Sequence, residues 1–310
     1  MNLKKWLIGI DIGGTTVKIG QFSLEGKLID KWEIHTNKEA YGSHIINDIA
    51  ASIDSRLDLD DVLGYGFGVP GPVQEDVVEI CVNLGWKDYH LKDAFSKLVN
   101  NDNIRVNNDA NVATLGESYF GAGVGKDNIA MITLGTGVGG GLVLYNRVYS
   151  GYNGNAGEIG HLTIPSKHTF HCNCGRDNCL ETHASATGVK NIYNELKKEY
   201  ETSSLFIFEA PSAKKIFDHA KSGDPLAVQV VDEVTSAIAY ACQVVASITN
   251  PGMVLIGGGL AKAGDFLLKP IQEKFCASAF GPTKGMQIKL ATLGNDAGIY
   301  GAARMVMNRD

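Results

Sequence analysis

A chain of 310 residues, 44% hydrophobic and 20% charged, has the composition of an ordinary globular protein and, at ~150 residues per domain, room for about two domains. Its net charge of −6, with no lysine or arginine block longer than a pair, argues against nucleic acid, because phosphate backbones are held by clustered cations. No stretch approaches the ~18 apolar residues of a membrane span. The N-terminal apolar run Trp6–Ile10 stops at Asp11, short of the ~7–15 residues of a secretory leader. The expectation is a cytoplasmic protein that uses neither membrane nor nucleic acid.

The first segment, LIGIDIGGTTVKIGQF over 7–22, places apolar runs on both sides of a Gly-Gly-Thr-Thr turn and reads as a hairpin. A third strand is expected over 28–34, a helix over 42–57, and a strand entering a Gly/Pro turn over 64–73. Residues 104–123 read as a short strand, a polar turn and a helix, with Asp109 where the helix begins, a favourable place for a carboxylate near unsatisfied N–H groups. The stretch LGTGVGGG at 134–141 then repeats the strand–glycine turn–strand pattern of DIGGTT at 11–16. Helical patterns follow over 187–200, 212–220 and 225–249. MVLIGGG at 253–259 is a buried strand ending in three glycines, and the chain closes on a helix that begins at an Asn-Asp pair. The alternation makes the chain α/β with two related sheets. A boundary is expected near 114–122, giving a small lobe of residues 1–118 plus a C-terminal helix over 296–310, and a large lobe over 119–295.

Five glycines between Gly135 and Gly141 weaken any strand that holds them. Glycine turns let backbone N–H groups approach a phosphate that a Cβ would push away, and two such turns at corresponding places of a duplicated chain point to a polyphosphate held from both sides. No Gly-Lys-Ser/Thr end is present for a P-loop. The second glycine run leads into a strand rather than a helix, which excludes a dinucleotide fingerprint. Six cysteines occur. Cys81, Cys242 and Cys276 stand alone in apolar surroundings and read as buried small hydrophobes. Cys172, Cys174 and Cys179 are clustered, and with His161 they supply the three thiolates and one imidazole of a closed, structural zinc site.

Asp-Ile-Gly-Gly-Thr, Leu-Gly-Thr-Gly-Val-Gly and Ile-Gly-Gly-Gly together resemble the phosphate-binding fold of the actin/hexokinase/Hsp70 superfamily over nearly the whole chain. The stretch GEIGH…CNCGRDNCLE at 157–181 resembles the signature of the ROK family (repressors, open reading frames and sugar kinases). It departs in two ways: the loop between His161 and Cys172 is one residue shorter than usual, and Asn178 replaces a glycine. Asn is the commonest other residue at positive φ, so Asn178 is expected to take the same turn. The resemblance implies a two-lobed actin-like ATPase (ribonuclease H-like) fold, each lobe a mixed sheet flanked by helices.

It also implies ATP-dependent, Mg²⁺-assisted phosphorylation of a hexose, with a structural Zn²⁺. Asp11 would stand near the magnesium, and Gly13, Gly14, Thr15 and Thr16 with Gly135, Thr136, Gly137 and Gly139 would hold the phosphates. Gly257, Gly258 and Gly259 would lie by the adenosine. Gly71, Asn83, Asn108, Asp109, Glu158, His161 and Glu181 would line the sugar pocket, with Asp109 as general base and His161 also on the zinc. GVPGPV, VNNDANVATLGE and CLETHASATG most resemble the family's glucose kinases; kinases of N-acetylmannosamine, N-acetylglucosamine or fructose are the alternatives, and ATP or polyphosphate the possible donors. A DNA-binding repressor is set aside because the first hairpin starts at Leu7, ahead of which no helix-turn-helix fits. Family members are often dimers, so a homodimer is expected.

Overall fold

The computed structural model describes residues 5–307. Its strands are β1 (Trp6–Ile12), β2 (Thr16–Ser23), β3 (Leu28–His35), β4 (Val62–Val69), β5 (Val73–Gln74), β6 (Val77–Cys81), β7 (Trp86–Tyr89), β8 (Ile104–Asn108), β9 (Ile129–Leu134), β10 (Val138–Leu144), β11 (Arg147–Val148), β12 (Met253–Gly257) and β13 (Gln287–Leu290). Two mixed five-stranded sheets have matching orders, β3-β2-β1-β4-β8 and β11-β10-β9-β12-β13. In the first, the antiparallel meander β3-β2-β1 is followed by parallel β4 and β8; in the second, β10 and β11 pair antiparallel while β9, β12 and β13 pair in parallel. The duplication read from the two glycine turns is thus a duplication of topology.

The chain forms two compact units. The first comprises Met1–Asp127, Gly141–Gly157 and Leu293–Asp310, and the second Asn128–Gly140 and Glu158–Thr292. The boundary read near 114–122 therefore moves. Those residues lie in or beside the helix Asp109–Phe120, which is packed into the first unit, and residues 141–157, read as part of the large lobe, also belong to the first unit. The C-terminal helix runs Ala297–Val306; the last three residues of the range expected for it lie outside the described residues.

In the first unit, strand alternation divides two faces. Ile8, Ile10 and Ile12 of β1 and Tyr65, Phe67 and Val69 of β4 form one core with Ile45, Ile49 and Ile53 of the helix Ile45–Asp54 and Leu91 and Phe95 of the helix Leu91–Val99. The opposite face is stripped of side chains. Gly20, Gly9 and Gly66 are cross-strand neighbours on β2, β1 and β4, and the C-terminal helix lies directly on this row. A Cβ on Gly66 would overlap the carbonyl oxygen of Ala302, and one on Gly9 that of Ile299. The same helix meets Asp109–Phe120 through glycines on both sides: a Cβ on Gly116 would overlap Ala297 O, and one on Gly301 would overlap Val112 O. Sheet, helix and helix approach backbone to backbone, and apolar contacts from Leu7, Phe22, Ile299, Ala303 and Val306 close the layer.

In the second unit, every residue of β12 is buried. The helices Ala186–Leu196, Ala213–Lys221, Pro225–Thr249 and Asp265–Ser278 accompany this sheet. The longest begins with Pro225 after an Asp224 cap whose carboxylate accepts from Ala227 N, a start written in the sequence. Cys81 and Cys242 are buried as expected, but Cys276 is exposed, because its place on the helix Asp265–Ser278 turns it away from the buried positions Leu267, Ile271 and Phe275.

The glycine row makes a stability prediction. Gly66→Ala forces the C-terminal helix off the sheet and is expected to cost about 3 kcal/mol, the upper range for overpacking a close contact. A urea unfolding midpoint unchanged from the parent protein would show that the helix moves aside freely.

Candidate active site

The first glycine turn, in the first unit, is closed by Gly13 N donating to Thr16 O at 3.0 Å. A residue not singled out in the sequence, Thr36, clamps it. Its N–H donates to Thr15 O at 2.9 Å and its hydroxyl to Gly13 O at 2.7 Å, while its side chain is buried. No heavy atom lies within 4 Å of where a Cβ on Gly14 would stand, so this turn keeps an open backbone surface.

Asp11 ends β1 beside the turn, opposite Lys18 on β2. Burial pushes its carboxyl up to about 6, and the charge of Asp109 pushes the same way against the opposing pull of Lys18. Its place is secured by Gly298, in the first turn of the C-terminal helix, where a Cβ would stand 2.5 Å from Asp11 Oδ2. Lys18, whose facing the sequence leaves open, points to this same face and donates to Asn295 O at 2.9 Å.

Asp109 is the first residue of its helix, and the strand β8 runs into that helix without the expected intervening turn. The cap is Asn108: its Oδ1 accepts from Ala110 N at 2.9 Å and from Asn111 N at 3.2 Å, and its Nδ2 donates to Gly71 O at 3.1 Å. The capping role thus falls to Asn108, and one oxygen of Asp109 accepts from Ala110 N at 2.8 Å. Gly71 has φ +95° and its Cβ would overlap Ile80 O, so only glycine fits there. Asn83 is exposed in the turn between β6 and β7. Next to that turn the Cys81 thiol is pushed up by burial, with the Asp109 charge adding to the rise and N–H groups of Leu84 and Asn83 opposing it. Asp11, Gly71, Cys81, Asn108 and Asp109 therefore form one neighbourhood.

In the second unit the other glycine turn is closed by Gly135 N donating to Gly137 O at 2.9 Å. Ala186 N and Thr187 Oγ1, at the start of the helix Ala186–Leu196, donate to Gly135 O at 2.8 Å and Thr136 O at 3.3 Å. Glu181 Oε2 accepts from Val138 N at 3.0 Å and fills the space a Cβ on Gly137 would need. That carboxylate oxygen is engaged with the phosphate-type turn, a contact that the sugar-lining role expected for Glu181 does not include. Gly135 itself keeps an open side, its nearest neighbour being Gly137 O at 3.8 Å.

The glycine excess consequently has two causes. Gly14 and Gly135 leave backbone exposed, whereas Gly13, Gly137 and Gly141 make room for Thr16 O, for Glu181 and for the helix Asp109–Phe120. In the third cluster, Gly258 has φ +84° and abuts the backbone of Leu134, while Gly257 packs on Met131; Gly259 is open.

The four expected metal ligands converge. One ligand atom from each of His161, Cys172, Cys174 and Cys179 lies within 4.8 Å of all the others. Cys174 Sγ and Cys179 Sγ are 3.6 Å apart, and His161 Nδ1 is 3.8 Å from Cys172 Sγ. A tetrahedron with Zn–S of about 2.3 Å has edges of about 3.8 Å, which these two separations match, so the donor set is compatible with zinc. Backbone and side-chain hydrogen bonds, led by that from Arg176 N, draw the Cys174 thiol down to about 6, which favours the thiolate a metal requires. The other ring nitrogen, His161 Nε2, faces Glu158 Oε2 at 4.0 Å. Asn178 has φ +56°, as its place in the loop predicts. It also pins the loop: its Oδ1 accepts from Phe170 N at 2.8 Å and its carbonyl from Ile164 N at 2.7 Å.

Asp11 carries a pH signature with a defined sign. Because its folded pKa of about 6 lies above the ordinary 3.8, the native state holds this proton more tightly than the unfolded chain. Its charge therefore costs stability fully above pH 6, and the cost vanishes below pH 4. At ~1.36 kcal/mol per pKa unit that cost is about 3 kcal/mol. Asp11→Asn is expected to gain stability of that order at about pH 7.5 and none below about pH 4; denaturant unfolding of both proteins over this range checks it, and a gain independent of pH would sink the assignment.

The ROK family model matches residues 7–309. The glucokinase of Halalkalibacterium halodurans is 42% identical over 99% of this chain and 96% of its own length, and that of Thermotoga maritima 36% identical over 98% of each. Among solved structures, a ROK family glucokinase from Streptomyces griseus in complex with glucose and AMPPNP superposes with a TM-score of 0.76 at 31% identity, covering 97% of this chain and 98% of that one. The two mixed sheets, the paired glycine turns and the His-Cys₃ loop are those of a chain that belongs to the ROK family.

Proposed function

We propose that this protein is a glucokinase, transferring the γ-phosphoryl group of ATP to the 6-hydroxyl of glucose. The observation that carries the reading is the coupling of two carboxylates beside an open glycine turn: Asp109 at its helix start and the partly buried Asp11 at the end of β1. Phosphoryl transfer has a loose transition state, so it calls for positioning and charge neutralisation more than for a strong base. Magnesium bound with the nucleotide would neutralise phosphate charge, and Asp11 is the carboxylate that would face it.

The turns Gly13–Thr16 and Gly135–Gly139, open at Gly14 and Gly135, would receive phosphate oxygens, with Gly257–Gly259 by the adenosine. Asp109 accepts the proton of the attacking hydroxyl, and Asn108 keeps it in place by capping the helix and tethering Gly71. Gly71, Asn83, Asn108, Glu158 and His161 are the hydrogen-bonding partners of the sugar, since each hydroxyl both donates and accepts. Glu181 is a further partner of the sugar through its second oxygen, while its Oε2, through Val138 N, ties the cysteine loop to the second glycine turn. Zinc held by His161, Cys172, Cys174 and Cys179 would supply no bond-making chemistry but would fix the His161 ring, leaving its other nitrogen for the sugar.

Three outcomes are expected. Coupled ADP-release assays with glucose, mannose, fructose, N-acetylglucosamine and N-acetylmannosamine should give the highest kcat/KM for glucose; preference for an N-acetyl sugar would move the substrate, and silence on all of them would remove the kinase reading. Asp109→Asn should lower kcat by at least ~10³-fold, well beyond the ~10²–10⁴ range's lower bound for proton transfer, while calorimetry still detects glucose binding; near-normal kcat would remove Asp109 as base. Metal analysis should find about one zinc per chain, lost in Cys174→Ser with a raised glucose KM; a zinc-free parent protein would overturn the clamp.

A further inference from the structure

A cavity of about 500 Å³ lies wholly within the first unit, away from Asp11 and Asp109 in its lining. The chain has only six arginines, at 56, 105, 147, 176, 304 and 309, yet Arg105, Arg147 and Arg304 all line this one space, and no lysine does. They come from three separate elements: β8, β11 and the C-terminal helix. Composition alone would favour lysine, so the convergence selects the planar fork that grips an oxyanion through two parallel hydrogen bonds.

The acids in the lining leave two of these three cations unpaired and share the third, Arg105, with other partners. Asp76 is engaged elsewhere: its Oδ1 accepts from Val106 N at 2.8 Å, and its Oδ2 is 3.4 Å from Lys92 Nζ and 4.0 Å from Arg105 Nη1. Glu75 is exposed at the rim. Among the described residues, neither Arg147 nor Arg304 is paired with a carboxylate. Arg304 instead stacks over the Tyr119 ring, its guanidinium 4.0 Å from the centroid, and the Tyr119 hydroxyl donates to Asn146 O at 3.1 Å in the turn before Arg147. That stack holds a charge in fixed orientation without neutralising it. Asn107 and Ser150, hydrogen-bonded to each other at 3.2 Å, add neutral polar groups suited to hydroxyls.

We propose that this cavity is a second ligand site, specific for a hydroxylated phosphomonoester of sugar-phosphate size. The volume suits a small metabolite, the arginines suit the phosphate dianion, and the Asn107–Ser150 pair suits a polyol. Its walls are also continuous in sequence with the reaction site. Val73–Asp76 follow Gly71, Asn107 precedes Asn108 and Asp109, and Ser150–Gly154 precede Glu158. A ligand seated here touches the segments that hold the sugar-binding residues and competes with none of them.

Calorimetric titration of inorganic phosphate and, separately, glucose 6-phosphate into the full chain tests the proposal, alongside Arg147→Gln, Arg147→Lys and Arg105→Gln. Arg147 is exposed and makes no ion pair, so its variants are expected to keep the parental melting temperature and kcat/KM for glucose. Arg147→Gln and Arg105→Gln should each weaken binding about tenfold or more, the loss of one charge-assisted contact, and Arg147→Lys should recover part of it. Of the binding that the arginine substitutions weaken, a tighter component for glucose 6-phosphate than for phosphate assigns the site to a sugar phosphate; equal components assign it to the free anion. Either supports an anion site here, whereas no binding of either probe, or binding indifferent to all three substitutions, overturns it. Failure of the kinase reading would show separately, as absent glucose turnover with arginine-dependent anion binding intact.

Discussion

The first unit depends on the absence of side chains along Gly20, Gly9 and Gly66. Three adjacent strands present bare backbone on one face, and the helix Ala297–Val306 settles on them closely enough that carbonyl oxygens occupy the places of missing Cβ atoms. The helix Asp109–Phe120 then seals against the second side of that helix through Gly116 and Gly301. Close packing of this kind has little tolerance, since interiors are as dense as organic crystals. Its consequence is positional: the start of the C-terminal helix stands at Asp11, and the other helix brings Asp109 into range of the same carboxylate.

Asp11, whose proton affinity is raised by burial and by the Asp109 charge, is costly to ionise unless something offsets that charge. Lys18 offsets part of it across the β1–β2 ladder, and a magnesium-bound phosphate would offset the rest. The arrangement spends native stability at Asp11, a cost of the kind found where charged groups are held in place for function. The clamp of Thr36 on the first turn and the cap of Asn108 on the helix keep both acids from relaxing away from each other.

The second unit solves its positioning problem with the loop that gathers His161, Cys172, Cys174 and Cys179. Cys179 and Glu181 are two residues apart, so fixing the thiolate also fixes the carboxylate that holds Val138 N. Gly160, next to His161, lies against Val138 O, where a Cβ would collide. This loop and the glycine turn are thereby one mechanical piece. A zinc held in that loop would be felt at the turn through Glu181 as well as at His161.

Much of this was readable beforehand because it is local. Strand alternation, the Asp224-Pro225 helix start, the two glycine turns and the His-Cys₃ set each lie within a short window, where dihedral preference and ligand spacing fix the outcome. Asn178 at positive φ is the sharpest case, since the side chain's tolerance for that conformation belongs to the residue itself. What only the tertiary structure decided involves partners far apart in the chain. Thr36 reaches Gly13, Glu181 reaches Val138, Gly66 meets Ala302, and Arg105, Arg147 and Arg304 gather at one cavity. For the same reason the glycines of one run divided into those open to a ligand and those crowded by a neighbour. A glycine is conspicuous in a sequence, but what occupies the space of its missing Cβ is set by a segment that only folding brings there.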